Sequence, residues 1–196
     1  TPAILRRSLW LADALGVPLV VTVNRLDATE GESLAYHRDI GVVAVSEAIR
    51  ARLTGSDGVA AERICVVPNS LDLVQFPRPA FELPATKTPV PVVGTYGILA
   101  ERKGQRIFLR AAAEVLRRKI DAEFLVIGHG PDKATLRRMA EDLGIAHRVT
   151  FSPSTSTDIR SLANIDLFVE PTFQEGMGLS VLQAMAAGVP VIASGV

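Results

Sequence analysis

Glu175 stands in the glycine-flanked run Gln174-Glu-Gly-Met-Gly178, and apolar residues at helical spacing follow it: Leu179, Val181, Leu182, Met185 and Ala186, ended by Gly188. Gly176 and Gly178 leave the backbone uncrowded, so the amides of Met177, Gly178, Leu179 and Ser180 can face a ligand at a helix start. Such a helix end favours an anion by roughly 0.3–1 kcal/mol, and a phosphate would fit it. Gln183 falls two turns into this helix among apolar neighbours, where its amide needs a partner, either a ligand hydroxyl or a nearby loop. The alternative for the whole stretch is a core helix with an exposed acid in the loop before it.

Two other groups offer related chemistry. Arg102-Lys103-Gly104 is a basic run at a second helix start, where a cation meets a pyrophosphate, although alone it reads as a solvated turn. Gly128-His129-Gly130 forms a tight turn between a strand and a helix that brings the backbone near a ligand. A dinucleotide fingerprint does not fit there, because Lys133 occupies the place of its third glycine. Ser180 lacks the second glycine of a nucleophile elbow, which argues against a serine hydrolase. The chain has 3 histidines, none at metal-ligand spacing. Its single cysteine, Cys65, lies in the apolar run Ile64–Val67, which predicts a buried thiol and excludes an internal disulfide.

Strands alternating with helices position these groups. Residues 3–15 predict a helix leading into a strand at 17–23, with Asn24 opening the loop beyond it. His37 and Arg38 read as surface residues before a strand at 41–45. Ser46 should cap a helix over 47–53, and 63–67 should form the next strand. Five prolines between Pro77 and Pro91 mark a linker, dividing the chain into domains at 1–76 and 91–196 with the linker at 77–90. Beyond it come strands at 91–96, 123–127, 148–151 and 167–170, with helices at 104–119, 131–143 and 158–164. This alternation predicts doubly wound parallel α/β sheets.

A length of 196 residues and a hydrophobic content of 48% describe a chain that buries a sizeable core. Lys plus Arg equals Asp plus Glu at 21 each, so no global field draws the chain to nucleic acid, and any anion site must be local. The apolar segment 178–196 is divided by Gln183 and by Gly188-Val-Pro190, which argues against a membrane-spanning helix. The first residues lack a signal-peptide pattern.

As an ordered set, the motifs resemble the family 4 retaining glycosyltransferases of the GT-B type. They are Val66-Val-Pro-Asn-Ser-Leu-Asp72 with Phe76, Gly97-Ile-Leu-Ala-Glu-Arg-Lys-Gly104, Leu125-Val-Ile-Gly-His-Gly-Pro131, Phe168-Val-Glu-Pro171, and Glu175-Gly-Met-Gly-Leu179 through Ala184-Met-Ala-Ala-Gly-Val-Pro-Val191. The resemblance implies two Rossmann-like domains, the N-terminal one incomplete with an exposed sheet edge and the second lacking its closing helices, as in a fragment. It implies transfer of a sugar from a nucleotide diphosphate donor with retained anomeric configuration and no required metal or cofactor. The donor would lie in the cleft between the domains, held mostly by the second. By position, Lys103 would hold the diphosphate, Glu175 the hydroxyls of the donor sugar, and the amides near Gly178 to Ser180 the sugar and distal phosphate. Gly128, His129 and Gly130 would lie near the base, with Gly97 and Arg102 in the diphosphate loop and position 183 at the ribose. The acceptor would be a glycan, lipid or small molecule. The resemblance also implies a cytoplasmic location, with peripheral association at the inner face of a membrane, where many similar enzymes work.

Three residues depart from the family pattern. Gln183 stands where Glu is usual, losing a charge-assisted bond. Ile98 replaces the usual second cation for the diphosphate, and Asn24 replaces a His near the donor sugar, where Asn carries no proton at neutral pH. These departures motivate an alternative, a catalytically weak or inactive relative that only binds a nucleotide-sugar or a partner protein.

Overall fold

The structure, a computed structural model, describes residues 2–25, 34, 40–75, 90–153, 162 and 164–196. His37, Arg38, Phe76, the proline-rich linker up to Pro89 and most of the helix expected at 158–164 lie outside those residues. Contacts divide the chain into two units, one made of Thr1–Ser70 with Gln174–Met177, the other of Leu71–Phe173 with Gly178–Val196.

The first unit runs α1 (Pro2–Leu15), β1 (Leu19–Val23), β2 (Ile40–Ala44), α2 (Glu47–Gly55) and β3 (Ile64–Val66). Its strands are parallel in the order β1-β2-β3, with Leu19 opposite Ile40 and Val42 opposite Ile64. Ser46 caps α2 as expected, since the amide of Ile49 donates to its Oγ at 3.3 Å and so satisfies a helix-start donor. Val23, Val42, Ala44, Ile49 and Leu53 are buried together as the core of this unit.

The expectation for Cys65 fails: it is exposed. Successive side chains of a strand point to opposite faces, and on β3 it is Ile64 that enters the core. An apolar run of four residues carries no information about which alternate members face inward.

The second unit runs β4 (Val92–Tyr96), α3 (Gln105–Arg117), β5 (Glu123–Ile127), α4 (Lys133–Asp142), β6 (Val149–Ser152), β7 (Leu167–Glu170), α5 (Leu179–Ala186) and β8 (Val191–Ala193). All five strands are parallel, in the order β6-β5-β4-β7-β8. From β4 the chain winds outward through β5 and β6, then crosses back to lay β7 on the other side of β4. The order therefore reverses between β4 and β7, which opens a crevice at their carboxyl ends.

Cores cover both faces of this sheet. Phe124 and Val126 of β5 pack with Phe108, Leu109 and Leu136, whereas Ile127 packs with Phe168, Ala184 and Val189. The period of two along β5 sends these residues to opposite faces. Helix α3 buries Phe108, Leu109 and Ala112. Phe108 and Phe124 meet edge to face, with ring centroids 6.0 Å apart. On the solvent side, hydrogen bonds from Arg117 and then Arg118 hold the carboxyl of Glu114 down to about 2.

Candidate functional site

The crevice between β4 and β7 is flanked by two loops that are tied to each other before any long side chain reaches across. After β4 the chain passes Gly97, Ile98 and Leu99, makes one 3-10 turn over Glu101–Lys103, and enters α3 through Gly104. After β7 come Pro171, Thr172 and Phe173. The carbonyl of Arg102 accepts from the amide of Phe173 at 2.8 Å and from Thr172 Oγ1 at 3.0 Å. Gly104 has φ +68°, and a Cβ there would lie 1.8 Å from the carbonyl oxygen of Pro171, so only glycine permits this approach.

That backbone stitching delivers Lys103 to the last residue of β7. Its Nζ donates to Glu170 Oε1 at 2.7 Å, with the side chains 11% and 3% exposed. The hydroxyl of Ser180, in the first turn of α5, donates to the other oxygen, Oε2, at 2.6 Å. Both carboxylate oxygens are thus engaged by charge-assisted bonds, as a buried carboxylate requires. The expectation for Lys103 was a cation for a diphosphate, and its protein partner Glu170 was not among the expected site residues. A single carboxylate closing the apolar strand Leu167-Phe-Val-Glu170 was the signal available for it.

A second pair of loops meets one strand further along. The amide of Gly97 donates to Ile127 O at 3.0 Å, and that of Leu99 to His129 O at 2.8 Å. Gly128 has φ +154°, and a Cβ on it would stand 1.9 Å from the carbonyl oxygen of Gly97. The Gly128–Gly130 turn and the Gly97 loop are therefore in backbone contact, with the His129 side chain exposed. Gln105, buried at 3% exposure, donates from Nε2 to the carbonyl of Ile98 at 3.0 Å and fixes the same loop from beneath. No local pattern in the sequence marks it. The side chain of Ile98, at the position where the resemblance implies a second cation, is 41% exposed.

Helix α5 opens at Gly178, whose backbone carries no side-chain cap, so its first amides lack a capping partner of that kind. Ser180 does not fill that role, because its hydroxyl turns to Glu170. Gln183 is half-buried, and its side chain makes no hydrogen bond among the described residues.

The remaining expected residues belong to the first unit. Asn24 is exposed just beyond β1, and a Cβ on Gly176 would lie 2.2 Å from its carbonyl oxygen and 2.7 Å from Ile49 Cδ1. Met177 packs on the first core, and its sulfur accepts from the amide of Asn69 at 3.1 Å. Glu175 is half-buried, with Oε1 accepting from the amide of Gly176 at 3.3 Å.

A doubly wound parallel sheet with clustered loops at its switch point, preceded by a second parallel α/β unit, is the GT-B architecture, and solved GT-B structures superpose on it. The Anabaena protein Alr3699/HepE, crystallised with UDP and glucose, matches with a TM-score of 0.78 at 22% identity, over 93% of this chain and 54% of that one. The chain belongs to the family described as Glycosyl transferases group 1, whose pattern matches residues 90–196. It is 36% identical to a D-inositol 3-phosphate glycosyltransferase of Rhodococcus opacus, over 95% of this chain and 49% of the relative. It is 35% identical to a GDP-mannose-dependent alpha-(1-6)-phosphatidylinositol monomannoside mannosyltransferase of Mycobacterium tuberculosis, over 78% of this chain and 43% of the relative. The chain spans about half the length of the curated relatives it matches.

Proposed function

We propose that this chain carries the donor site of a glycosyltransferase that moves a sugar from a nucleotide diphosphate to an acceptor with retention of anomeric configuration. The observation that carries the reading is the cation Lys103, set at the β4/β7 switch point beside the first turn of α5. Open α/β sheets bind ligands at such a point, and a fixed ammonium with helix-start amides suits a diphosphate. Lys103 meets the charge that builds on the leaving diphosphate, which lowers the barrier without a metal ion. Glu175 takes the hydroxyls of the donor sugar, and Gln183, unpartnered among the described residues, takes those of the ribose. The acceptor is a glycan, lipid or small molecule, and the relatives' own names span inositol phosphate and a phosphatidylinositol mannoside.

Calorimetric titration with UDP, GDP and ADP tests the donor site. One of them should saturate, and Lys103→Gln, whose amide can still donate to Glu170, should weaken it by roughly tenfold or more. Unchanged affinity in that variant would remove Lys103 from the site. In the full-length protein, Glu175→Ala should abolish transfer, and wild-type turnover would sink the assignment. NMR of the product's anomeric proton reads out retention.

The apolar, 41% exposed Ile98 favours a second reading, a relative that binds a nucleotide-sugar but turns it over slowly or not at all. Saturable nucleotide binding without transfer would select it.

A further inference from the structure

We propose that Glu170 is a positioning residue, one that holds the Lys103 ammonium and the first turn of α5 in the arrangement that receives a nucleoside diphosphate. This rests on the donor-site reading above. Glu170 closes β7, and its two oxygens are taken by different elements: Oε1 by Lys103 from the loop after β4, at 2.7 Å, and Oε2 by Ser180 of α5, at 2.6 Å. One carboxylate thereby links the two places where a diphosphate would find positive charge, a side-chain cation and a helix start.

An ordinary stabilising role accounts poorly for this placement. An ion pair this deeply buried contributes little to stability compared with apolar residues of the same volume, because both charges lose their water. Its effect is instead to keep an 11% exposed lysine in one place. A lysine stem otherwise samples many rotamers, and freezing it before the ligand arrives removes that cost from binding. Stitching at Arg102, Thr172 and Phe173 fixes the backbone on both sides, and the carboxylate of Glu170 engages the ammonium at the end of the side chain.

The test is titration of the full chain, wild type and Glu170→Gln, with UDP, GDP and ADP and with the corresponding monophosphates. Gln keeps the shape but replaces the charge-assisted bond to the ammonium by a weaker neutral one, so Lys103 is held less firmly while the fold is kept; a thermal melt and the milder Ser180→Ala control for it. The expected result is a loss of roughly tenfold in affinity for the diphosphate that the wild type binds, with affinity for its monophosphate unchanged. Ser180→Ala should produce a smaller loss of the same selective kind. Unchanged diphosphate affinity in Glu170→Gln overturns the proposal, and so does a parallel loss for both ligands, which marks a general structural defect. A wild-type chain that binds none of the three diphosphates overturns the donor-site reading itself, a failure distinct from either.

Discussion

Lys103 meets Glu170 only because the loops that carry them are already joined through the carbonyl of Arg102. That order of construction matters for energetics: removing the ammonium outright leaves a 3% exposed carboxylate with only Ser180 and costs about 3–5 kcal/mol, whereas an amide at 103 preserves a donor. Ile98 makes the opposite case, a position at which charge is missing. Its exposed side chain leaves room for a longer one, and its carbonyl, bound by Gln105, keeps the loop in place whatever the side chain is. Ile98→Arg should therefore tighten nucleotide diphosphate binding by roughly tenfold or more, the worth of a hydrogen bond to a charged group. Calorimetry on the variant checks this, and an unchanged Kd would dissociate position 98 from the diphosphate.

Among the elements, the loops are more tightly determined than the helices. Helix α3 needs only an apolar stripe and tolerates any polar residue on its outer face. The turn after β5 has no such latitude. At Gly128 a left-handed φ coincides with a carbonyl oxygen 1.9 Å from where a Cβ would stand. Gly128→Ala should destabilise the second unit by roughly 2–4 kcal/mol, from backbone strain and a steric conflict together. Urea denaturation followed by circular dichroism would measure it, and a loss below about 0.5 kcal/mol, the range of ordinary surface changes, would contradict the geometry.

In the molecule as a whole, each unit has its own core, with Ile49 central to the first and Leu109 to the second, both fully buried. Ile49→Ala and Leu109→Ala should each cost about 2–5 kcal/mol. Amide exchange should rise within the unit that carries the substitution. Exchange spread equally over both units by either change would contradict two separate cores. Over about half the length of its relatives, the described residues carry a three-stranded and a five-stranded parallel sheet.

The amino-acid order determined the elements and the class. Short continuous apolar runs placed β5 and β7 at their observed bounds, 123–127 and 167–170, and local capping chemistry marked Ser46, because these depend on local pattern and local hydrogen bonds. Gly128 is legible as a turn position in the same way, whereas Gly104, expected to open the helix, precedes it with a left-handed φ. Only the tertiary structure decided which groups meet. The apolar run around Cys65 suggests burial but does not reveal which face points inward, and the thiol is exposed. Glu170 is not assigned a partner by any local pattern, because that partner lies 67 residues away along the chain and is brought to it by the crossover that sets β7 against β4. Pairings of this kind follow from strand order, a property of the whole sheet that no local window of sequence contains.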